Sequence, residues 1–243
     1  MTVCYDMKPV FNEIDAVILC GGKGTRLQPV VFDRPKALAA FGDTTFLDFL
    51  INSLKSHGFK TFILCVGYMK DQIKDHFKDT KDIKILFSEE DEPLGTGGAL
   101  KKAETLVQSQ TFIVMNGDSI CDINFYDFYH FHINKGALLS MALVRKDEAR
   151  DFGSVLMKDN DEIISFTEKV TNSSPCLVNA GVYCMQKEIF ACMPDLLKFS
   201  LENDFFPKMI EKRVAGFIIN SDLIDIGTPD RYEKAVHILG EKQ

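Results

Sequence analysis

The stretch AVILCGGKGTRLQP, residues 16–29, joins an apolar run to a loop that contains three glycines. The run AVILC is rich in β-branched residues and predicts a strand buried on both faces. Similar runs recur at TFILCV (61–66), IKILF (83–87) and TFIVM (111–115). Helical patterns lie between them, one from a cap at Thr44 or Thr45 to Gly58 and others over 69–79 and 98–108. This alternation predicts a doubly wound parallel sheet that binds ligands at the carboxyl ends of its strands.

The pattern changes after Asp118. A helix near 124–134 is followed by apolar runs at 137–145, 153–157, 162–168 and 178–185, with fewer helices between them. These runs predict mixed or antiparallel strands that complete the sheet. No linker or repeat divides the chain, so we expect a single domain over 1–243, in which 1–13 form an N-terminal arm. The fold class is therefore α/β, a Rossmann-like three-layer sandwich with a mixed, mainly parallel central sheet.

Composition excludes several classes of partner. The net charge of −7 argues against nucleic acid and anionic membranes, which need a basic face. No apolar run approaches the ~20 residues that span a bilayer, and the start lacks a signal-peptide pattern. The seven cysteines show no CxxC spacing and are expected to be buried in a reducing compartment, which predicts a cytoplasmic protein. Basic residues nevertheless concentrate within 21–36, at Lys23, Arg26, Arg34 and Lys36.

The glycine-rich loop itself predicts anion binding, because glycines allow backbone N–H groups to approach phosphate oxygens. A P-loop would need GxxxxGK[ST], but Lys23 is followed by Gly24. A dinucleotide fingerprint would need GxGxxG, but Leu27 stands where the third glycine would be. The remaining interpretation is a triphosphate loop reinforced by cations.

The loop is the first of several motifs that occur in a fixed order along the chain. They are GGKGTRL (21–27), Pro35-Lys36, PLGTGGA (93–99), NGD (116–118), FTEK (166–169), NAGVY (179–183) and DIGTP (225–229). Together they resemble the sugar-phosphate nucleotidyltransferases over about 15–238, and this resemblance implies a GT-A-like form of the α/β fold. In that family an oxygen of a sugar 1-phosphate attacks the α-phosphorus of a nucleoside triphosphate, releasing pyrophosphate and leaving a nucleotide sugar. The reaction needs charge neutralisation and alignment more than a nucleophilic side chain.

The resemblance implies a role for each charged residue. Arg26 would hold the departing pyrophosphate, and Lys36 would face the α-phosphate, where charge builds in the transition state. Asp118 and Asp225 would bind Mg²⁺ together with phosphate oxygens. The expected catalytic residues are thus Arg26, Lys36 and Asp118.

The resemblance also implies two sets of binding residues. The nucleotide set comprises Leu19, Gly21, Gly22, Gly24, Thr25, Glu90, Pro93, Gly95, Thr96 and Gly97. We expect Gly95 and Gly97 to expose backbone amides and a helix to open at Gly98. The set for the sugar phosphate comprises Gly153, Glu168, Lys169, Asn179 and Gly181. Strand alternation would place Glu168 and Lys169 on opposite faces, so a bulge or a strand end is needed if both face the pocket.

Nucleotide and sugar identity are less constrained. Family members that use thymine or uracil commonly carry glutamine a few residues before the PLGTGGA motif, whereas this chain has the acidic stretch 88–92, which includes Glu90. A carboxylate accepts hydrogen bonds only, and guanine offers N1–H and N2–H₂ as adjacent donors, which favours GTP. A solvated acidic run on a loop stays open as the alternative for each of these residues. Within the family, the motifs most resemble the D-glycero-α-D-manno-heptose 1-phosphate guanylyltransferases, which implies GDP-heptose as the product. Mannose 1-phosphate guanylyltransferases and uridylyl-, thymidylyl- or cytidylyltransferases stay open as alternatives, as does a regulatory protein that only binds nucleotide sugars. A homo-oligomer also stays open, since relatives often form dimers or tetramers.

Overall fold

The computed structural model describes residues 11–147, 152–168 and 175–240, without the side chains of 239 and 240. Its strands are β1 Asp15–Leu19, β2 Ala40–Phe41, β3 Thr44–Thr45, β4 Thr61–Val66, β5 Lys84–Glu89, β6 Thr111–Asn116, β7 Ser119–Ile120, β8 Leu139–Lys146, β9 Ser154–Met157, β10 Ile163–Thr167, β11 Cys176–Gln186, β12 Val214–Ile219 and β13 Ile224–Asp225. Its α-helices are α1 Phe46–Ser56, α2 Lys70–Phe77, α3 Gly95–Lys102, α4 Phe125–Lys135, α5 Phe206–Met209 and α6 Pro229–Gly240.

The first half of the chain forms a parallel sheet. β1 lies between β6 and β4, β5 follows at the edge, and all these pairs are parallel. Alternate residues of β1 enter different hydrophobic cores, Ala16 and Ile18 on one face and Val17 on the other. The sheet is therefore covered on both sides, which confirms the three-layer α/β prediction.

The second half completes the sheet with antiparallel pairs. β11 pairs with β6 through 182–186 and with β9 through 177–178, and β8 runs along its other edge. β10 then pairs with β9, and β12 pairs in parallel with β8. Within the described ranges the result is one nine-stranded mixed sheet that branches at β11.

Local sequence explains where the helices begin. Thr45 caps α1 in a capping box, in which its hydroxyl accepts from the Asp48 N–H and the Asp48 carboxylate accepts from the Thr45 N–H. The Asn124 side chain caps α4, and Gly136, with φ of 55°, ends it. Both helices lie within two residues of the predicted bounds.

Two predictions about these elements were wrong. α3 begins at Gly95 rather than at Gly98, so the glycines of the PLGTGGA motif lie inside the helix. β5 is not buried on both faces, because it is the edge of the sheet and Lys84 is exposed. In the expected arm, residues 11–13 form a short 3-10 helix whose Phe11 stacks on Phe59 in the core, and residues 1–10 lie outside the described part of the chain.

Candidate active site

A cavity of about 400 Å³ lies at the carboxyl ends of β1, β5 and β6. The residues around it come from the glycine-rich loop, the Pro35-Lys36 turn, the start of α3 and the NGD motif. They are Leu19, Cys20, Gly21, Gly22, Gly24, Thr25, Arg26, Lys36, Ala37, Glu90, Pro93, Gly95, Thr96, Ala99, Asn116, Gly117, Asp118 and Gly227. We call this set the nucleotide half of the site. It brings together the expected catalytic residues and every expected nucleotide-binding residue except Gly97.

Glu90 is held against the glycine-rich loop. A Cβ added at Gly21 or at Gly67 would lie 2.9 Å or 2.6 Å from its Oε1, so both positions need glycine for the carboxylate to fit. The Leu94 N–H donates to its Oε2 at 3.2 Å. Burial raises the pKa of Glu90, because desolvation disfavours the charged form. Glu90 thus lines the cavity with its carboxyl group held between the glycine-rich loop and the Leu94 N–H.

Lys36 lies close beneath the same loop. Gly24 has φ of 59°, and a Cβ there would come within 2.8 Å of Lys36 Cβ. Lys36 Nζ donates to Asp118 Oδ2 at 2.7 Å. The lysine side chain is 13% exposed and the Asp118 side chain 46% exposed. The ammonium group is thus fixed in the site, while its carboxylate partner faces the open cavity.

Asp118 and Asp225 come together although they are far apart in sequence. Asp225 pairs with Ser119 across β13 and β7, and the Ile226 N–H donates to the Asp118 carbonyl at 3.0 Å. Carboxylate oxygens are hard ligands, and a partly exposed pair leaves room for waters, which suits Mg²⁺. Among the described residues no group of three or more His, Cys, Asp or Glu side chains could hold a metal ion, so any ion here would also need substrate or water oxygens.

The start of α3 is hydrogen-bonded to Phe199 and Glu202, about a hundred residues further along the chain. The Gly97 and Gly98 N–H groups both donate to the Phe199 carbonyl, at 3.0 Å and 3.2 Å. Thr96 Oγ1 donates to Glu202 Oε2 at 2.6 Å. The prediction that Gly97 exposes its amide is therefore wrong, because that amide is already paired and Gly97 is buried.

The expected sugar-binding residues form a second group, which we call the sugar half: Gly153, Glu168, Asn179 and Gly181. The Asn179 N–H donates to the Gly153 carbonyl at 2.9 Å, and a Cβ on Gly153 would lie 3.0 Å from Glu168 Oε2. Glu168 directly follows the last residue of β10, so it lies at a strand end, where the alternation of side chains between the two faces of the sheet no longer applies. Lys169 lies outside the described residues.

Gly181 joins the sugar half to the nucleotide half. It lies in an irregularity of β11 with φ of 73°, and a Cβ there would come within 2.8 Å of Asn116 Nδ2. The side-chain Oδ1 of Asn179 accepts from the Gly181 N–H at 3.0 Å, and its Nδ2 donates to the Tyr183 hydroxyl at 2.7 Å. The two halves therefore meet at Asn116.

Some residues of the site were not singled out from the sequence. Asn116 lines the cavity, and its Oδ1 is buried without a hydrogen-bond partner in the structure. Its place in the NGD motif was the available signal. Tyr183, in the NAGVY motif, is buried and positions Asn179. Gly67, which makes room for Glu90, belongs to no motif and could not have been found in this way.

Residues 15–242 match the nucleotidyl transferase family. The chain belongs to this family. The nucleotidyltransferase is 38% identical over 224 residues to a D-glycero-α-D-manno-heptose 1-phosphate guanylyltransferase of Aneurinibacillus thermoaerophilus, covering 91% of this chain and 96% of that one. It is 39% identical over 221 residues to the protein of that name from Campylobacter jejuni, covering 90% and 97%.

A solved structure agrees with this assignment. The crystal structure of HddC from Yersinia pseudotuberculosis complexed with GMP-PN superposes with a TM-score of 0.82 and 34% identity, covering 93% of this chain and 99% of that one. The sequence-based recognition of a sugar-phosphate nucleotidyltransferase is confirmed. No helix in the described ranges is long and apolar enough to cross a membrane.

Proposed function

We propose that this nucleotidyltransferase transfers GMP from GTP to D-glycero-α-D-manno-heptose 1-phosphate, forming GDP-heptose and pyrophosphate. The observation that carries the choice of nucleotide is the carboxylate of Glu90 at the end of the cavity. Two similar proteins bear the name of this activity, and HddC is complexed with a guanine nucleotide, GMP-PN. These relatives support the choice of both substrates.

Base selection would depend on hydrogen-bond direction. Guanine presents N1–H and N2–H₂ as neighbouring donors, which an ionised carboxylate can accept together. Uracil and thymine place carbonyl oxygens beside their N3–H, and a carboxylate repels these. Because Glu90 is backed by Gly21 and Gly67, it has little room to turn away from the wrong base.

The chain's own cations would neutralise the phosphates. Arg26 lines the cavity beside Gly227, and its planar guanidinium suits the oxygens of the departing pyrophosphate. Lys36 would meet the α-phosphate, where negative charge grows as the sugar phosphate oxygen bonds to phosphorus and the bond to pyrophosphate breaks. Mg²⁺ bound by Asp118 and Asp225 would add further positive charge to the phosphate oxygens.

The sugar half would orient the acceptor. Glu168 and Asn179 can hydrogen-bond with sugar hydroxyls, and Gly153 and Gly181 leave room for a close approach of the sugar. Lys169, next in the FTEK motif, would hold the attacking phosphate in line with the α-phosphorus. The nucleophile is supplied by the substrate, so no protein side chain needs to form a covalent intermediate.

The test is a matrix of triphosphates and sugar 1-phosphates with Mg²⁺, followed by pyrophosphate release. We expect turnover with GTP and the heptose 1-phosphate, and at most weak turnover with UTP, CTP or dTTP. Efficient turnover of GTP with mannose 1-phosphate instead would show that the proposed sugar is wrong. Preference for another triphosphate would show that the proposed base is wrong. Tight binding of a nucleotide sugar without turnover of any pair would favour a regulatory protein over an enzyme.

A further inference from the structure

Arg231 lies on α6 and contacts residues from two parts of the site. Its Nη1 is 3.3 Å from Asp225 Oδ1, and its guanidinium carbon lies 5.2 Å from the centre of the Phe152 ring. The arginine side chain is 29% exposed and that of Asp225 15% exposed. The guanidinium thus spans from an expected metal ligand to the residue that precedes Gly153.

The position of Arg231 matches that of Lys36. Among the described residues, the ion pair of Asp118 is with Lys36 and that of Asp225 is with Arg231. Lys36 approaches from the nucleotide half. Arg231 approaches from the sugar half, because Phe152 is adjacent to Gly153, whose neighbours are Glu168 and Asn179. In each pair the cation neutralises a carboxylate that is expected to bind the metal.

A phosphate that attacks the α-phosphorus must lie between the sugar and the two carboxylates. We propose that Arg231 is a binding residue for the phosphate of the sugar 1-phosphate and serves as the counter-ion of Asp225 only until that substrate and a divalent ion are bound. This inference rests on the proposed function of the site. A planar guanidinium suits bidentate contact with phosphate oxygens, and the cation–π contact with the Phe152 ring holds the Arg231 side chain beside the sugar half.

The other cation on the Phe152 ring is a less suitable candidate. Lys146 Nζ lies 5.8 Å from the ring centre and donates to the Leu223 carbonyl at 3.2 Å. That bond is to backbone, which a metal ion at the carboxylates would not displace. The carboxylate of Asp225, in contrast, is a group that a divalent ion would take over, so Arg231 is the cation that can change partner.

Arg231→Gln and Arg231→Lys test the proposal, with Lys234→Gln as a matched control on the exposed face of the same helix. We expect Arg231→Gln to raise the KM for the sugar 1-phosphate about tenfold or more while the KM for the triphosphate changes little. Arg231→Lys keeps the charge without the fork and should give an intermediate KM. Lys234→Gln should match the wild type in both.

A second measurement separates substrate binding from a purely structural role. Mn²⁺ binding to the substrate-free protein, followed by electron paramagnetic resonance, should tighten severalfold in Arg231→Gln, because a competing positive charge beside Asp225 is removed. A structural role predicts the opposite, weaker Mn²⁺ binding together with a lower melting temperature. An unchanged KM for the sugar 1-phosphate would overturn the proposal.

Failure of the proposed function and failure of the proposed role of Arg231 give different experimental results. If the wild type uses another nucleotide and sugar pair, the proposed substrates are wrong and Arg231 is tested with the pair that works. If the wild type turns over no pair, the Mn²⁺ titration still decides, since tighter binding in Arg231→Gln supports the counter-ion role and weaker or equal binding contradicts it.

Discussion

The nucleotide half and the sugar half of the site are built from different kinds of structure. The nucleotide half follows the carboxyl ends of the parallel strands β1, β5 and β6, with loops that leave the sheet at one edge. The sugar half depends on the antiparallel strands β9, β10 and β11 and on an irregularity in β11 near Gly181. Parallel strands therefore bring their ends together by topology, whereas the antiparallel half needs a local distortion to aim its side chains.

This difference suggests a division of work. The cations Arg26 and Lys36 belong to the nucleotide half, where the proposed reaction would develop negative charge. The described members of the sugar half offer Glu168, Asn179 and two glycines, which can orient a substrate but add no positive charge. We therefore expect the loss of either cation from the nucleotide half to lower kcat, and changes in the sugar half to raise the KM for the sugar 1-phosphate.

Lys36→Ala is the most severe test of this division. It removes the ammonium group from beside Asp118, and we expect kcat to fall by about a thousandfold, as when a transition-state donor is lost at other sites. Pyrophosphate release under saturating substrates measures the effect. Arg34→Ala is the matched control, because that arginine is exposed and pairs only with the neighbouring Asp33 among the contacts described.

Gly153→Ala provides the comparison on the sugar side. The added Cβ would lie 2.7 Å from Phe166 Cζ and 3.0 Å from Glu168 Oε2, so the sugar half must shift. The expected result is a higher KM for the sugar 1-phosphate with kcat close to normal. If Gly153→Ala lowers kcat as far as Lys36→Ala does, the two halves do not divide the work.

The sequence made the nucleotide half largely predictable. Apolar runs located β1, β4 and β6, and the motifs that follow the strands named most of the residues that line the cavity. This worked because loops after parallel strands meet at one edge, so a motif at the end of a strand is also a position in space. The cap expected at Thr44 or Thr45 likewise located the start of α1, and the structure has this cap at Thr45.

Other features depend on contacts that sequence patterns do not encode. The PLGTGGA motif suggests that the N–H of Gly97 is available to a ligand, but the carbonyl of Phe199, about a hundred residues later, accepts it. The burial of Glu90 depends on Gly67, which no motif marks. The bend at Gly181 adapts β11 to β8 along one edge and to β6 and β9 along the other. Each is a long-range contact, set by how distant elements pack.

Glu90→Gln sharpens the comparison from within the nucleotide half. Replacing one acceptor oxygen by a donor NH₂ should reduce the preference for GTP over UTP by about 10- to 100-fold, while turnover of bound substrate changes less. Competition between the two triphosphates in one assay measures the preference directly. Glu89→Gln is the control, since its side chain pairs with Lys74 and does not line the cavity. An equal loss of preference in both variants would point to the acidic run as a whole rather than to Glu90.

His132 allows the stability of the antiparallel half to be tested separately. It lies on α4 and is fully buried against the strands β8 and β11. Its Nδ1 lies 2.8 Å from Ser140 Oγ, and the Gln186 amide donates to its Nε2 at 3.0 Å. Burial lowers the pKa of His132 from 6.5 to about 4. The unfolded chain therefore binds a proton first, and the stability that the neutral ring contributes is complete above pH 6.5 and is lost as the pH falls towards 4. We expect this residue alone to reduce the free energy of unfolding by about 2 kcal/mol between pH 7 and pH 5.

Denaturant unfolding of the wild type and of His132→Gln at both pH values isolates this contribution, with the exposed His57→Gln as the control. The loss on acidification should be about 2 kcal/mol smaller in His132→Gln than in either of the other two proteins. Amide exchange locates the effect: β8 and β11 should lose protection at pH 5 before β1 and β4 do, because His132 is hydrogen-bonded to side chains on β8 and β11. If all four strands lose protection together, the parallel and antiparallel halves unfold as one unit, and the difference between them is one of construction rather than of stability.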